Sequence, residues 1–395
     1  MRVDPLRYLS DELDSLRANG LFRALRVIDA EQQAHARIDH RSVVNLSSNN
    51  YLGLTTHPAL RERAQDAIAR LGVGSGSVRT IAGTMAIHLE LEQRLATFKR
   101  TESAVVFQSG FAANAGTVSS LLGREDVIVS DELNHASIID GARLSRATIK
   151  VFAHRDAEAA RRIVQDLPRT GRTLIISDGV FSMDGDLGAL PALCDVADEF
   201  GCIMMVDDAH ASGVFGQNGR GTVDHFGLHG RVDVQVGTLS KAIGALGGYV
   251  AGSKALIEFL YHRARPFLFS TSHPPAVAAT CLAALDILEN DPSLISRLWD
   301  NTRFFKQGLS DLGFDIGTSE SPITPVIVGD ASLAMRLSDR LFEAGVFAQG
   351  IGFPTVPHGR ARVRTIVMAT HTRDELQFAL DAFKRVGREL GILTM

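Results

Sequence analysis

Several features that would place a chain by themselves are scarce or missing here. There are three cysteines, Cys194, Cys202 and Cys281, an odd number with no metal-ligand spacing. That argues against a disulfide framework and reads as reduced core thiols. No basic stripe or polybasic block occurs and the net charge is −4, so neither nucleic acid nor an anionic membrane surface is an expected partner. No apolar run reaches spanning length. Met1 to Arg17 alternates charges and lacks the apolar core of a signal peptide, so a cytoplasmic location is expected. There is no Walker loop and no G-x-G-x-x-G fingerprint. Neither an internal repeat nor a low-complexity tract is visible.

What remains is a globular composition: 395 residues, 45% hydrophobic and 22% charged. That is ample for a large core and two or three domains. Pro5 to Asn19 reads as an amphipathic helix on Leu6, Leu9, Leu13 and Leu16, and Val43 to Ser47 as a short strand. Helices are expected over His57–Leu71 and His88–Phe98, the second with Leu89, Leu91 and Leu95 inward. From Ala104 to Val206 short apolar runs alternate with helical patterns. That rhythm implies a mainly parallel sheet covered on both faces, with sites beyond the carboxyl ends of its strands. Arg263 to Pro275 is irregular and a long helix follows it. The chain then divides into an N-terminal helix and strand segment (1–55), a large α/β domain (56–288) and a small α+β domain (289–395).

The chemistry centres on Lys241. Val232 to Val236 reads as a buried strand leading into Gly237-Thr-Leu-Ser-Lys241, and Tyr249 to Ala251 as a second run beyond a Gly-rich turn. An ammonium between two buried strands costs several kcal/mol unless paired or neutralised. A Schiff base with an aldehyde is the chemistry that wants such an amine; a lysine on an exposed loop is the plainer alternative. Gln108-Ser109-Gly110-Phe111 closes a strand and opens a helix, a suitable phosphate cradle or an ordinary serine cap. Asp207 ends a strand without polar side chains, three residues before His210. It suits a metal, acid–base work or a protonated ring nitrogen, and no second ligand pair supports the metal. A pyridoxal phosphate site needs a Schiff-base lysine, an acid for the pyridine nitrogen, a phosphate cradle and a flat group over the ring. Lys241, Asp207, Ser109 to Phe111 and His135 fill those places in order, with His210 for the ring hydroxyl and Thr238 for the phosphate.

Asp207-Asp-Ala-His210 and Thr238-Leu-Ser-Lys241 resemble the fold-type I pyridoxal phosphate enzymes. Asn49 to Leu54, Asn134 to Ser137, Asp178 to Gly185 and Gly219-Arg-Gly221 are similar to the α-oxoamine synthases within that group, over nearly the whole chain. The resemblance implies a transferase fold with a mainly parallel sheet of the seven-stranded type, and a homodimer with its site at the subunit interface. It implies a small amino acid and an acyl-CoA as substrates, condensed with release of CoA. It assigns Lys241, Asp207 and His135 to catalysis. It gives Ser182 and His210 to the ring hydroxyl and Ser109, Gly110, Phe111 and Thr238 to the phosphate, with Ser270 and Thr271 reaching it from the second subunit. Both arginines of Arg362-Val-Arg364 share a strand face, and the family pattern chooses Arg364 for the substrate carboxylate. Thr355, Asn49 and Arg23 are further substrate contacts by the same route. Ser77 to Thr84 and Asp178 to Phe181 resemble members that take glycine and acetyl-CoA. Gln108 to Asn114, Asp207 to His210 and Pro354 to Pro357 are similar to those that take L-alanine and pimeloyl-CoA. A 5-aminolevulinate synthase-like enzyme, an aminotransferase and a non-catalytic partner subunit stay open beside these. Arg263 and Arg265 could meet CoA phosphates by charge alone.

Overall fold

A computed structural model describes residues 4–18, 22, 25–168 and 170–394. Its strands in chain order are β1 (His35–Ile38), β2 (Arg41–Asn45), β3 (Ser103–Phe107), β4 (Val127–Asp131), β5 (Thr148–Phe152), β6 (Thr173–Asp178) and β7 (Ile203–Asp207). They continue with β8 (Val234–Thr238), β9 (Gly248–Gly252), β10 (Ile323–Gly329), β11 (Val346–Phe347), β12 (Gln349–Ile351) and β13 (Ala361–Ile366). The central sheet has seven strands in the order β3-β9-β8-β7-β6-β4-β5. Every pair is parallel except the two that β9 makes with β3 and β8. The exception has a simple cause. A parallel return needs a crossover of a dozen residues or more, and only the nine residues 239–247 join β8 to β9. Those nine residues hold Lys241.

Helices cover both faces, so the inner strands are mostly apolar, with polar residues such as Ser130, Ser177 and Gln235 among them. Leu174 and Ile176 of β6, Met205 of β7 and Val234 and Val236 of β8 are buried in one cluster. Each such side chain contributes about 1.5–3 kcal/mol. A charge in place of Val236 would sit unpaired beneath the Lys241 turn and cost more than that.

The smaller unit packs the helices Ser293–Asp311, Ala331–Glu343 and Arg373–Glu389 on a sheet ordered β10-β13-β12. The N-terminal strands join it: β2 pairs in parallel with β11, and the amides of Ile366 and Ala369 donate to Leu46 and Tyr51. Residues 35–51 are thereby stitched to the smaller unit and run from it toward the main sheet.

Three local expectations change. Leu89 is 52% exposed rather than inward, because its helix (Ala86–Lys99) buries the face of Leu91, Leu95 and Phe98. The segment expected to be irregular holds a short helix, Arg265–Leu268, with proline in its first turn. The run Ala361 to Thr370 reads as a strand in the sequence, and the strand stops at Ile366. The N-terminal helix forms over Tyr8–Ala18 but buries none of its residues. No helix among the described residues is long and apolar enough to cross a membrane.

Candidate active site

The carboxyl ends of β3, β4, β6, β7 and β8 feed one cavity of about 210 Å³. Ser109, Gly110, Phe111, His135, Ser182, Asp207, His210, Thr238 and Lys241 all line it. The expectation that a parallel sheet places such residues together is met for these nine.

Lys241 enters with no hydrogen bond and no ion pair among the described residues. Burial depresses its amine to about 8, against the pull of Asp207 and then Asp178, and Arg364 lowers it further. At neutral pH a sizeable fraction is the free base, the nucleophilic form.

Asp207 forms the floor. Its Oδ2 accepts a 2.6 Å bond from Asn114 Nδ2, and its Oδ1 a 2.8 Å bond from the Ala209 amide. Asp178 stands beside it in the β6–β7 register. Burial, with Asp207 so near, pushes Asp178 well above the usual carboxylate range. Asp178 Oδ2 accepts the backbone N–H of His135 at 2.8 Å and so positions the start of the helix Ala136–Ser145.

His135 caps that helix: its Nδ1 accepts the Ser137 amide at 3.2 Å and lies 2.7 Å from Ser137 Oγ. Burial lowers its basicity. His210 is buried 2.7 Å from the Tyr51 hydroxyl, and burial, then Lys241 and Arg364, hold it well below its ordinary value. Both imidazoles are therefore neutral at pH 7.

The helix Gly110–Leu121 points its N-terminus into the cavity. Ser109 Oγ is spent on the Ala112 amide at 3.0 Å, which leaves the Gly110 and Phe111 amides without acceptors among the described residues. Opposite them lies a paired Thr238 and Ser240, Oγ1 to Oγ at 2.7 Å. Gly248 is needed behind this corner, since any Cβ there would strike the Ser109 carbonyl oxygen. Free first-turn amides and hydroxyls make an anion seat. With an unpaired amine and a carboxyl lining the same cavity, the donor set fits pyridoxal phosphate.

The structure distinguishes the two arginines that strand alternation leaves equal. Arg362 is fully buried and consumed: its Nη1 donates to Asp184 Oδ1 at 2.7 Å and to the Met183 carbonyl at 2.8 Å. Arg364 gives one Nη1 bond to the Ser182 carbonyl at 3.0 Å and meets no carboxylate among the described residues. Burial lowers its basicity, opposed by Tyr51. A desolvated guanidinium without an anion is a seat for one.

Other expected residues lie outside the cavity. Ser270 is half-buried and Thr271 exposed, and the Thr271 carbonyl accepts from Gln108 Nε2. Thr355 is exposed on the turn after Gly352. Asn49 is half-buried with its Oδ1 unpartnered. Arg263 and Arg265 are exposed, the latter over the Phe269 ring. Arg23 falls outside the described residues. Four polar residues of the site were not singled out from the sequence: Asn114, Ser137 and Asp178, which sit inside motifs already quoted, and Ser240 beside Lys241. Helical spacing was the available signal for Asn114, which follows Gly110 by one turn.

The profile of the family described as aminotransferase class I and II matches residues 41–383. The 8-amino-7-oxononanoate synthase of Symbiobacterium thermophilum is 59% identical over 387 residues, 98% of this chain and 99% of that one. Among solved structures, serine palmitoyltransferase from S. paucimobilis with bound PLP-myriocin superposes with a TM-score of 0.94 at 32% identity, over 99% of this chain and all of that one. The 8-amino-7-oxononanoate synthase of Francisella tularensis superposes with a TM-score of 0.75 at 29% identity, over 88% of this chain and 98% of that one.

Proposed function

We propose, for a chain that belongs to the aminotransferase class I and II family and within it to the α-oxoamine synthases, that it condenses L-alanine with pimeloyl-CoA to give 8-amino-7-oxononanoate, CoA and carbon dioxide. One observation carries the chemistry: an unpaired lysine of lowered basicity shares a cavity with Asp207, His135 and a helix N-terminus that has free amides. Full-length similarity to 8-amino-7-oxononanoate synthases supports the choice of substrates.

Pyridoxal phosphate, when bound, supplies an electron sink that acidifies the amino acid's Cα–H. The protein's own groups do the rest. Lys241 would hold the cofactor covalently, and its amine, once free, would take the Cα proton. A basicity near 8 suits both tasks. Asp207 would keep the proton on the pyridine nitrogen, and the Gly110 and Phe111 amides with Thr238 and Ser109 would hold the phosphate. His210 and Ser182 would meet the ring hydroxyl. Arg364 receives the alanine carboxylate through its free guanidinium edge. His135 would cover the ring and donate from Nε2 to the thioester carbonyl as charge develops there. A bond forms between alanine Cα and the pimeloyl carbonyl carbon. The C–S bond breaks and CoA leaves as thiolate and takes up a proton. The Cα–carboxylate bond then breaks to release carbon dioxide, and a proton takes the carboxylate's place at Cα, so that of the two protons consumed one is the proton first removed from Cα and one comes from solvent.

The same reading includes a cytoplasmic homodimer. Val73 and Ile81 of the loop before the helix Ala86–Lys99 stand 78% and 83% exposed, and Phe269 stands 69% exposed. The Val78–Thr271 bridge brings these segments together, beside Ser270 and Thr271. That apolar surface suits a second copy whose Ser270 and Thr271 reach the phosphate. The three free cysteines suit a reducing compartment.

Thiol release tests the reaction. The holoenzyme is expected to liberate CoA from pimeloyl-CoA with L-alanine and much less from acetyl-CoA with glycine. Equal or reversed rates would reassign the substrates, and no thiol from either pair would remove the synthase reading.

A further inference from the structure

Asn114 lies in the second turn of the helix that opens at Gly110, and it is almost wholly buried. Its side chain joins the two sides of the cavity. One Nδ2 hydrogen goes to Asp207 Oδ2 at 2.6 Å and the other to Ser137 Oγ at 2.9 Å. The amide cannot be turned over, because Oδ1 would then face a carboxyl oxygen. As placed, Oδ1 is buried without a partner. An unpartnered buried acceptor costs about 1–3 kcal/mol, so the donor end is what holds this residue here.

The chain continues through Ser137. Its Oγ accepts from Asn114, so its own hydrogen is free for the neighbour 2.7 Å away, His135 Nδ1. The Ser137 amide also donates to Nδ1, at 3.2 Å. Two donors aimed at Nδ1 make that nitrogen the acceptor and leave the ring proton on Nε2. Were the proton on Nδ1, the Ser137 amide would face an N–H and the Ser137 hydroxyl hydrogen would lose its acceptor.

We propose that Asn114 is a positioning residue that ties the acid at the cavity floor to the histidine on its wall, through Ser137, and thereby holds His135 in the Nε2–H tautomer. The tie gives one fixed geometry to two groups that line the same cavity. It rests on the condensation reading for its consequence, not for its geometry. With the tie cut, His135 samples both tautomers, and the one protonated on Nδ1 has no donor for a thioester carbonyl.

The test has an arm that needs no reaction. In the cofactor-free protein, ring 15N shifts of His135 are expected to show a protonated Nε2 and an unprotonated, hydrogen-bonded Nδ1. Asn114→Ala and Ser137→Ala should each move both shifts toward a mixture. Unchanged shifts in both variants, or a wild-type ring protonated on Nδ1, would overturn the proposal. If Asn114→Ala fails to fold, Ser137→Ala leaves the Asp207 bond in place and carries the same readout. In the holoenzyme each variant is expected to lower kcat for CoA release by about 10-fold with little change in KM for alanine, and the double variant to fall no further than about 20-fold. Losses that multiply would show two independent sites and contradict the tie. Should the wild type release no CoA at all, the condensation reading fails while the 15N result still decides the tautomer claim.

Discussion

Two lysine–aspartate regions lie side by side in this protein and behave in opposite ways. Lys99 and Asp208 are 1% and 0% exposed, with Nζ 2.9 Å from Oδ2. The pair is closed on every side: Asp208 also accepts from the Thr222 amide, and Lys99 from below reaches the Arg220 carbonyl. Burial works against the Lys99 charge, but Asp208 and Tyr249 together outweigh it and the amine is raised. One residue earlier, Asp207 turns into the cavity, where Lys241 shares its space without touching it. There burial prevails and the amine falls to about 8. Desolvation acts on both lysines; a partner in contact is what makes one a strut and the other a nucleophile. The Gly219-Arg-Gly221 motif belongs to the strut: a Cβ on Gly221, at φ 103°, would run into Asp208. Arg362 and Arg364 repeat the contrast on β13, one locked on Asp184 and one left open.

Breaking the contrast at its reactive end should have the largest effect. Lys241→Ala is expected to abolish covalent cofactor absorbance and to lower CoA release by more than about 10⁴-fold, with the denaturation midpoint little changed. At the structural end the outcome should invert. Lys99→Met leaves Asp208 buried without its cation and should lower stability by about 3–5 kcal/mol in denaturant titration, while folded enzyme keeps its covalent absorbance. The arginines sharpen the same point: Arg364→Ala should raise KM for alanine by about 10- to 100-fold, whereas Arg362→Ala should lower stability first.

The smallest effect concerns a third charged cluster. His154 lies between Asp131 at 3.0 Å and Asp186 at 2.9 Å, with Arg155 bonded to both Asp186 and Glu320 beside it. Burial opposes its charge, but the two carboxyl partners win and raise it to about 9. A folded value above the unfolded one of about 6.5 means stability fully present below that pH and lost as pH rises through about 9. After solvent screening the contribution is about 2 kcal/mol. Denaturant midpoints should fall between those pH values in the wild type, and His154→Gln should flatten that slope.

Much of this was legible before any coordinates. Strand ends are where buried apolar runs stop, so Ser109, His135, Asp207 and Lys241 could be found by following alternation of strand and helix, and all four line the cavity. The antiparallel β9 follows from a loop too short to cross over. Helical spacing sets Asn114 one turn past Gly110 but does not reveal its bond to Asp207, and Asp178 matters through its place beside Asp207 in the β6–β7 register, so neither was singled out. Arg362 and Arg364 could not be separated for a related reason: the deciding partner, Asp184, is 178 residues away along the chain. Leu89 looked like core beside Leu91 and Leu95, yet at two and six residues from them it lies on another face of the helix and meets solvent.

The direct test of the central contrast is covalent capture of pyridoxal phosphate by the cofactor-free protein across a range from about pH 6 to about pH 11, trapped by borohydride and located by mass spectrometry. The account predicts a single adduct on Lys241 whose formation rate rises to a midpoint near 8, with Lys99 unlabelled. A midpoint above about 10, the value of an ordinary lysine, or an adduct on Lys99, would contradict it.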